Sequence, residues 1–215
     1  SVANVDLPLH WSGTKNMAWK TALPGRGSSS PVVWGEHIFL TAFTGFGTPD
    51  TADKSKLRLH VICFDRNNGA IVWDKSIAAN PLTQDFTKRI QDHGYSSITP
   101  ATDGQAVYAF FGVSGVVAYD MNGQLLWQAD VGTKTAGFGS ASSPVVFNDL
   151  VIVNGSIESD TLIAFNKKTG QRVSAASDAS SASADKGSSS GNGMIIAVVA
   201  LVAGIAIGWF GHAEQ

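Results

Sequence analysis

The sequence predicts an all-β protein of about three four-stranded antiparallel units, followed by a linker and a single membrane-spanning α-helix. Three observations carry this. Short runs of β-branched and aromatic residues alternate with turn residues throughout residues 1–173. The order of those runs recurs along the chain. Beyond them the composition changes twice, first to Ser, Ala, Gly and Asp over 174–193, then to an uncharged apolar run.

The repeat is read in three segments. Ser30-Pro31-Val32-Val33-Trp34-Gly35 leads into Glu36-His37-Ile38-Phe39, and Cys63-Phe64-Asp65 turns through Gly69 to Trp73. Thr99-Pro100-Ala101-Thr102-Asp103-Gly104 is followed by Ala106-Val107-Tyr108, and Ala118-Tyr119-Asp120 turns through Gly123 to Trp127. Ser143-Pro144-Val145-Val146-Phe147 is followed by Leu150-Val151-Ile152, and Ala164-Phe165-Asn166 turns through Gly170 to Val173. Each unit is thus a Pro-led strand, two apolar strands, a Gly turn and a last strand, which is the plan of a propeller blade. The blades are placed at 30–77, 98–131 and 143–173, with a lead strand over 16–22 around Trp19. The stretches 45–56 and 78–97 exceed what a blade needs and read as insertions.

A tight turn between the third and fourth strands favours a residue that tolerates positive φ, which accounts for Gly69, Gly123 and Gly170. Asp65, Asp120 and Asn166 occupy equivalent positions before those turns. They read as turn formers whose side chains bond nearby backbone amides. Trp73 and Trp127 are expected to pack their rings between neighbouring blades, since no other side chain buries more apolar surface.

The Asp-x-x-x-Gly-x-x-x-Trp spacing in Asp65, Gly69 and Trp73 resembles the PQQ-like, quinoprotein-type propeller repeat. The stretch from Leu7-Pro8-Leu9-His10-Trp11 through Ala18-Trp19-Lys20 to Leu23-Pro24-Gly25 is similar to the start of secreted bacterial propellers of that kind. The resemblance covers roughly residues 5–173 and implies a partial β-propeller. The third repeat has Ser174 where the Trp should stand, and such propellers normally carry seven or eight blades.

In the family, an active enzyme closes its ring around the quinone, with a Ca²⁺, an Asp base and a stacking Trp, often beside two adjacent Cys. Three blades do not enclose such a cofactor, so the resemblance does not carry the activity over. The chain is expected to be no enzyme, to have no catalytic residue and no metal site, and to hold no cofactor.

Residues 174–193 have too little apolar surface to fold and are expected to be a flexible linker. From Met194 to Phe210 no residue is charged. At 1.5 Å per residue this run is about 26 Å long as a helix, close to the thickness of a bilayer core. A transmembrane helix over 194–212 is therefore expected. Ala200, Gly204 and Gly208 lie on one side of it and suit close packing against another helix.

The remaining candidates are weaker. His212, at the edge of the span, is considered as a ligand for a metal or pigment, with an interfacial polar end the favoured reading. His93 in the second insertion reads as a surface residue. His10, His37 and His60 show no ligand spacing. Gly25-x-Gly27 and Gly137-x-Gly139 are followed by no helix and are not phosphate loops. Cys63, the single cysteine, reads as buried and inert, and it excludes an internal disulfide or a CxxC site.

The formal charge of −2 and the lack of a Lys/Arg run exclude a nucleic-acid partner. Ser1 in place of Met reads as a processed N-terminus after export. The blade domain is accordingly expected on the periplasmic side, with the C-terminus inside. Lys186 before the span, with no Lys or Arg after it, argues mildly the other way.

The expected function is that of a non-catalytic, membrane-anchored accessory subunit. Its partners are the lipid bilayer and an integral membrane protein complex, respiratory or photosynthetic, contacted through 45–56, 78–97 and the helix. A quinoprotein-type oxidoreductase or cofactor carrier and a membrane-tethered assembly factor are the alternatives.

Overall fold

The computed structural model describes residues 9–46, 53–85 and 95–177. Among these residues, twelve strands form three four-stranded antiparallel sheets in which sequence neighbours pair. The first sheet holds β1 (Val32–Trp34), β2 (His37–Thr44), β3 (Arg58–Asp65) and β4 (Ile71–Ala78). The second holds β5 (Ala101–Thr102), β6 (Ala106–Phe110), β7 (Val116–Asp120) and β8 (Leu125–Ala129). The third holds β9 (Val145–Phe147), β10 (Leu150–Gly155), β11 (Thr161–Asn166) and β12 (Arg172–Ser177). Each sheet is one blade.

Period-two alternation decides how the blades stack. On β2, Phe39 and Phe43 point into one core with Val61 and Cys63 of β3, and Val107, Ala109, Val117 and Tyr119 of the second blade close it. The opposite face of that second blade, with Tyr108, Phe110, Val116 and Ala118, packs on Val151, Val153, Ile163 and Phe165 of the third. The middle strands of the second blade are therefore buried on both faces, which is why they read as near-continuous apolar runs.

Antiparallel pairing also gives the sheets two distinct ends. The β1–β2 and β3–β4 turns, with their counterparts in the other blades, lie at one end, here the turn end. The β2–β3 connections and the links between blades lie at the other, the loop end. Short helical turns occur at the loop end: α1 (Ser156–Ser159) and 3-10 turns at Lys54–Lys56 and Gly112–Ser114.

Two expectations are corrected. No strand forms over 16–22, because no described strand lies beside it to complete a ladder, and side-chain bonds hold it instead. The third blade runs on through Ser177, four residues into the expected linker. The backbone of 174–177 pairs with Thr161–Ala164, and a ladder of main-chain bonds needs no apolar side chains. The rest of the linker, the span 194–212 and the residues Ala200, Gly204, Gly208 and His212 lie outside the described residues. So do His93 and parts of both insertions, 47–52 and 86–94. Among the described residues no helix is long and apolar enough to cross a membrane.

Candidate functional site

At the turn end one arrangement occurs three times. Trp73 Nε1 donates to Met121 O at 2.9 Å and Trp127 Nε1 to Lys167 O at 2.8 Å. Trp19 Nε1 donates to Arg66 O at 2.8 Å. In each case the acceptor is the residue just after Asp65, Asp120 or Asn166. The indole then lies flat on the following glycine. A Cβ on Gly170 would sit 2.6 Å from Trp127 Cδ2, one on Gly123 2.9 Å from Trp73 Cγ, and one on Gly69 2.3 Å from Trp19 Cε3. Gly170 and Gly123 also have φ of 69° and 78°, so both space and backbone require glycine.

The acidic or amide residue before each turn shapes it. Asp65 Oδ1 accepts from the amides of Asn67 and Asn68, Asp120 Oδ1 from those of Asn122 and Gln124. Asn166 Oδ1 accepts from Lys168 and Thr169. A bulge follows in every blade, as the pairing shifts at Cys63/Phe64, Ala118/Tyr119 and Ala164/Phe165. These residues form the joints between blades.

Two further contacts join blades at this end. Lys167 Nζ lies 3.0 Å from Asp103 Oδ2, with both side chains 16% exposed. Burial works to raise the pKa of the Asp103 carboxyl, but the Lys167 bond and the amides of Gln105 and Ala106 outweigh it and lower the pKa. Trp34 covers Gly104, where a Cβ would lie 2.2 Å from its indole, yet the ring is 49% exposed.

Trp34 is part of a wider pattern. Val33, Trp34, Val145 and Phe147 on the first strands, and Ile71, Val72, Leu125 and Leu126 on the fourth, are all exposed. All eight stand on the strand segments next to the turns. The turn-proximal parts of the edge strands of the blades therefore present large apolar side chains to solvent.

The loop end is different. The described parts of the two insertions hold each other: Lys54 Nζ donates to Pro81 O and Thr83 O, and Tyr95 packs edge-on against Phe43 and Phe46. Next to them lies a cavity, part of it open to solvent, with room for about three water-sized groups. Its walls come from all three blades and include Leu59, Ile98, Phe111, Val113 and Ile157.

Glu158, in α1, lines this cavity and is 3% exposed. Its Oε1 accepts a hydrogen bond from Ser140 Oγ. Its Oε2 is buried and has no partner among the described residues. Burial raises the pKa of this carboxyl, partly offset by the Ser140 bond and the residue's own amide. The backbone is fixed as well, since Thr133 N and Lys134 N both donate to Glu158 O at 3.1 Å. No repeat or motif marks Glu158 in the sequence. The one signal it offered was an acid in a short polar break, Ser156-Ile157-Glu158-Ser159-Asp160, between two apolar strands.

The described histidines and the cysteine stay apart from the cavity lining. His60 bonds Asp74 Oδ1 and Thr44 Oγ1, both at 2.8 Å. His10 is exposed and His37 touches the Phe39 ring. Cys63 is buried, and its thiol is pushed up to about 12, first by burial and then by Asp65. Among the described residues no three His, Cys, Asp or Glu side chains converge as a metal site. A quinone held by a hard divalent cation needs several oxygen ligands around that ion, and Glu158 is the single carboxylate in the described lining. The described residues do not fit that group.

A family model described as outer membrane protein assembly factor BamB matches the chain over residues 9–135 and again over 58–204. No curated protein matches it. Among solved structures, a europium-containing methanol dehydrogenase shares 21% identity over 70% of this chain and 24% of its own, with a TM-score of 0.48. BamB from Moraxella catarrhalis shares 20% over 74% of this chain and 38% of its own, at 0.43. The computationally designed Ika4 protein shares 13% over 74% and 78%, also at 0.43. The chain thus spans about a quarter and about two fifths of the two natural proteins' length.

Proposed function

Because the chain belongs to the PQQ-repeat family described as outer membrane protein assembly factor BamB, we propose that it is a non-catalytic accessory subunit that docks its blade domain on a larger membrane protein complex. The observation that carries this reading is the exposed apolar surface at the turn end. Eight large side chains, from Val33 and Trp34 to Leu125 and Leu126, stand exposed on the turn-proximal parts of the edge strands. Exposed apolar surface gathered in one region marks an interaction site, whereas isolated exposed residues need no explanation. The joints below hold those side chains on fixed strands, which favours a preorganised contact.

A membrane helix over 194–212, with Ala200, Gly204 and Gly208 toward a neighbouring helix, belongs to the same proposal. It would give a second attachment, and two tethered weak contacts hold far better than either alone. The blades would lie outside the cytoplasm. Protease added to intact spheroplasts is expected to digest the blade domain, and full protection would overturn that orientation.

The test is made on the full chain extracted from native membranes in mild detergent. The parent is expected to migrate with a larger complex, and the double variant Leu125→Asp, Leu126→Asp to migrate alone with its thermal transition unchanged. A parent that migrates as a free monomer sinks the reading. A quinone absorption band in the purified protein would bring the catalytic alternative to the front.

A further inference from the structure

We infer that the loop-end cavity is a binding site for a primary alkylammonium group, received by the Glu158 carboxylate. This goes beyond the docking role, which concerns the opposite end of the blades. The first ground is the orphaned oxygen. Buried polar groups in folded proteins are hydrogen-bonded, and an unmet one calls for an explanation. Glu158 Oε2 is buried, lines a cavity and has no described donor.

The second ground is that the site is built around this side chain. A Cβ on Gly112 would lie 3.2 Å from Glu158 Oε1, and one on Gly132 would lie 2.2 Å from Glu158 O. Both positions leave space that any other residue would fill. With Ser140 on Oε1 and two amides on the carbonyl oxygen, the carboxyl is held at the cavity wall with Oε2 as its unused acceptor.

The third ground fixes the chemistry. The polar groups beside the carboxyl are already paired: Thr83 Oγ1 with Ser114 Oγ, and Gln84 Nε2 with Thr135 Oγ1. The neighbouring basic side chain, Lys134, has its Nζ on Asp160 instead. Among the described lining residues none supplies a positive charge, and the Glu158 carboxyl has no charged donor there. A metal ion is a poor answer, since one carboxylate cannot replace its hydration shell. An ammonium group needs far fewer ligands. Leu59, Ile98 and Val113 offer apolar wall for a methylene stem, and the Phe111 and Tyr95 rings add faces that attract cations. The space admits about three water-sized groups, so the occupant is the narrow end of a chain.

The experiment uses the full chain and three probes: n-butylammonium chloride, n-butanol as its neutral counterpart, and N-acetyl-lysine methylamide. Butylammonium is expected to raise the melting temperature in a saturable way, butanol to leave it unchanged, and Glu158→Gln to weaken the amine by about tenfold or more. If Glu158→Gln does not fold, Ser140→Ala and the amine–alcohol comparison still decide. No saturable shift, or equal shifts from amine and alcohol, overturns the assignment. A lysine probe that binds more tightly than butylammonium identifies a protein side chain as the source. Equal binding identifies a free amine. Either result keeps the ammonium site, and neither bears on the turn-end surface.

Discussion

The joint between the second and third blades is the place to test the architecture, through Trp127. Its side chain is 7% exposed, its ring lies on Gly170, and its Nε1 donates to Lys167 O. Truncating a buried aromatic of this size costs about 3–5 kcal/mol. Trp127→Phe keeps most of the ring but loses the bond, for about 1 kcal/mol. Trp34 serves as the internal control. It also covers a glycine, but at 49% exposure roughly half its area is at stake, so Trp34→Ala should cost about 1.5–2.5 kcal/mol. For a chain of this size, 1 kcal/mol corresponds to about 2–4 °C in Tm. Trp127→Ala should therefore melt roughly 6–20 °C below the parent, with Trp127→Phe and Trp34→Ala between them. Melting followed by circular dichroism avoids reporting on the mutated fluorophore. A Trp127→Ala variant that melts within a degree or two of the parent, or no lower than Trp34→Ala, would refute the joint.

Gly170→Ala should destabilise by at least about 1–2 kcal/mol from its φ of 69° alone, before the displaced indole is counted, as read by urea unfolding. Cys63 should resist a maleimide reagent in the folded protein and react once it is denatured, since its thiol is buried and its pKa is raised to about 12. Asp103 has a lowered pKa, so the stability it contributes is present above its ordinary value of 3.8 and is lost as pH falls through the lowered one. Lys167→Met should reduce that acid-limb loss in pH-dependent melting, the Gln105 and Ala106 amides keeping the rest. Glu158 has the opposite sign: its raised pKa favours the protonated fold, so its contribution is full below 4.5 and declines as pH rises through the raised value. Titration of unfolding should show this decline vanish in Glu158→Gln, with Tyr95, Lys134 and Asp160 the other titrating groups nearby.

The joints were legible in the sequence because each of their demands falls on a residue type that recurs at a fixed spacing. A turn that bonds its own amides asks for Asp65, Asp120 or Asn166. The positive φ beside an indole asks for Gly. Other features carry no such signature. The segment around Trp19 matches the fourth-strand pattern, but the lock it makes is a side-chain bond to Arg66 O with a ring on Gly69, and that works without a ladder. Conversely, 174–177 carries no apolar pattern, yet its backbone continues β12 by pairing with β11. The Asp103–Lys167 pair spans 64 residues of sequence between one blade and the next, and no periodicity announces it.

Internal repetition also separates structural from functional positions in this chain. Whatever occurs in every blade answers a need common to every blade, which is to stack on its neighbour. The loop end is where the repeats part company. Between the second and third strands the first blade has an insertion with a 3-10 turn at Lys54–Lys56, the second a tight connection through Gly112–Ser114, and the third the single turn α1. Stacking would be served as well by three copies of the shortest of these. Instead the three differ, and the cavity lies among them, with Glu158 of the third connection in its lining. A buried carboxyl with an empty acceptor costs free energy that an alanine there would not. Its burial among connections that differ from blade to blade is what a binding site requires and what a stacked sheet does not.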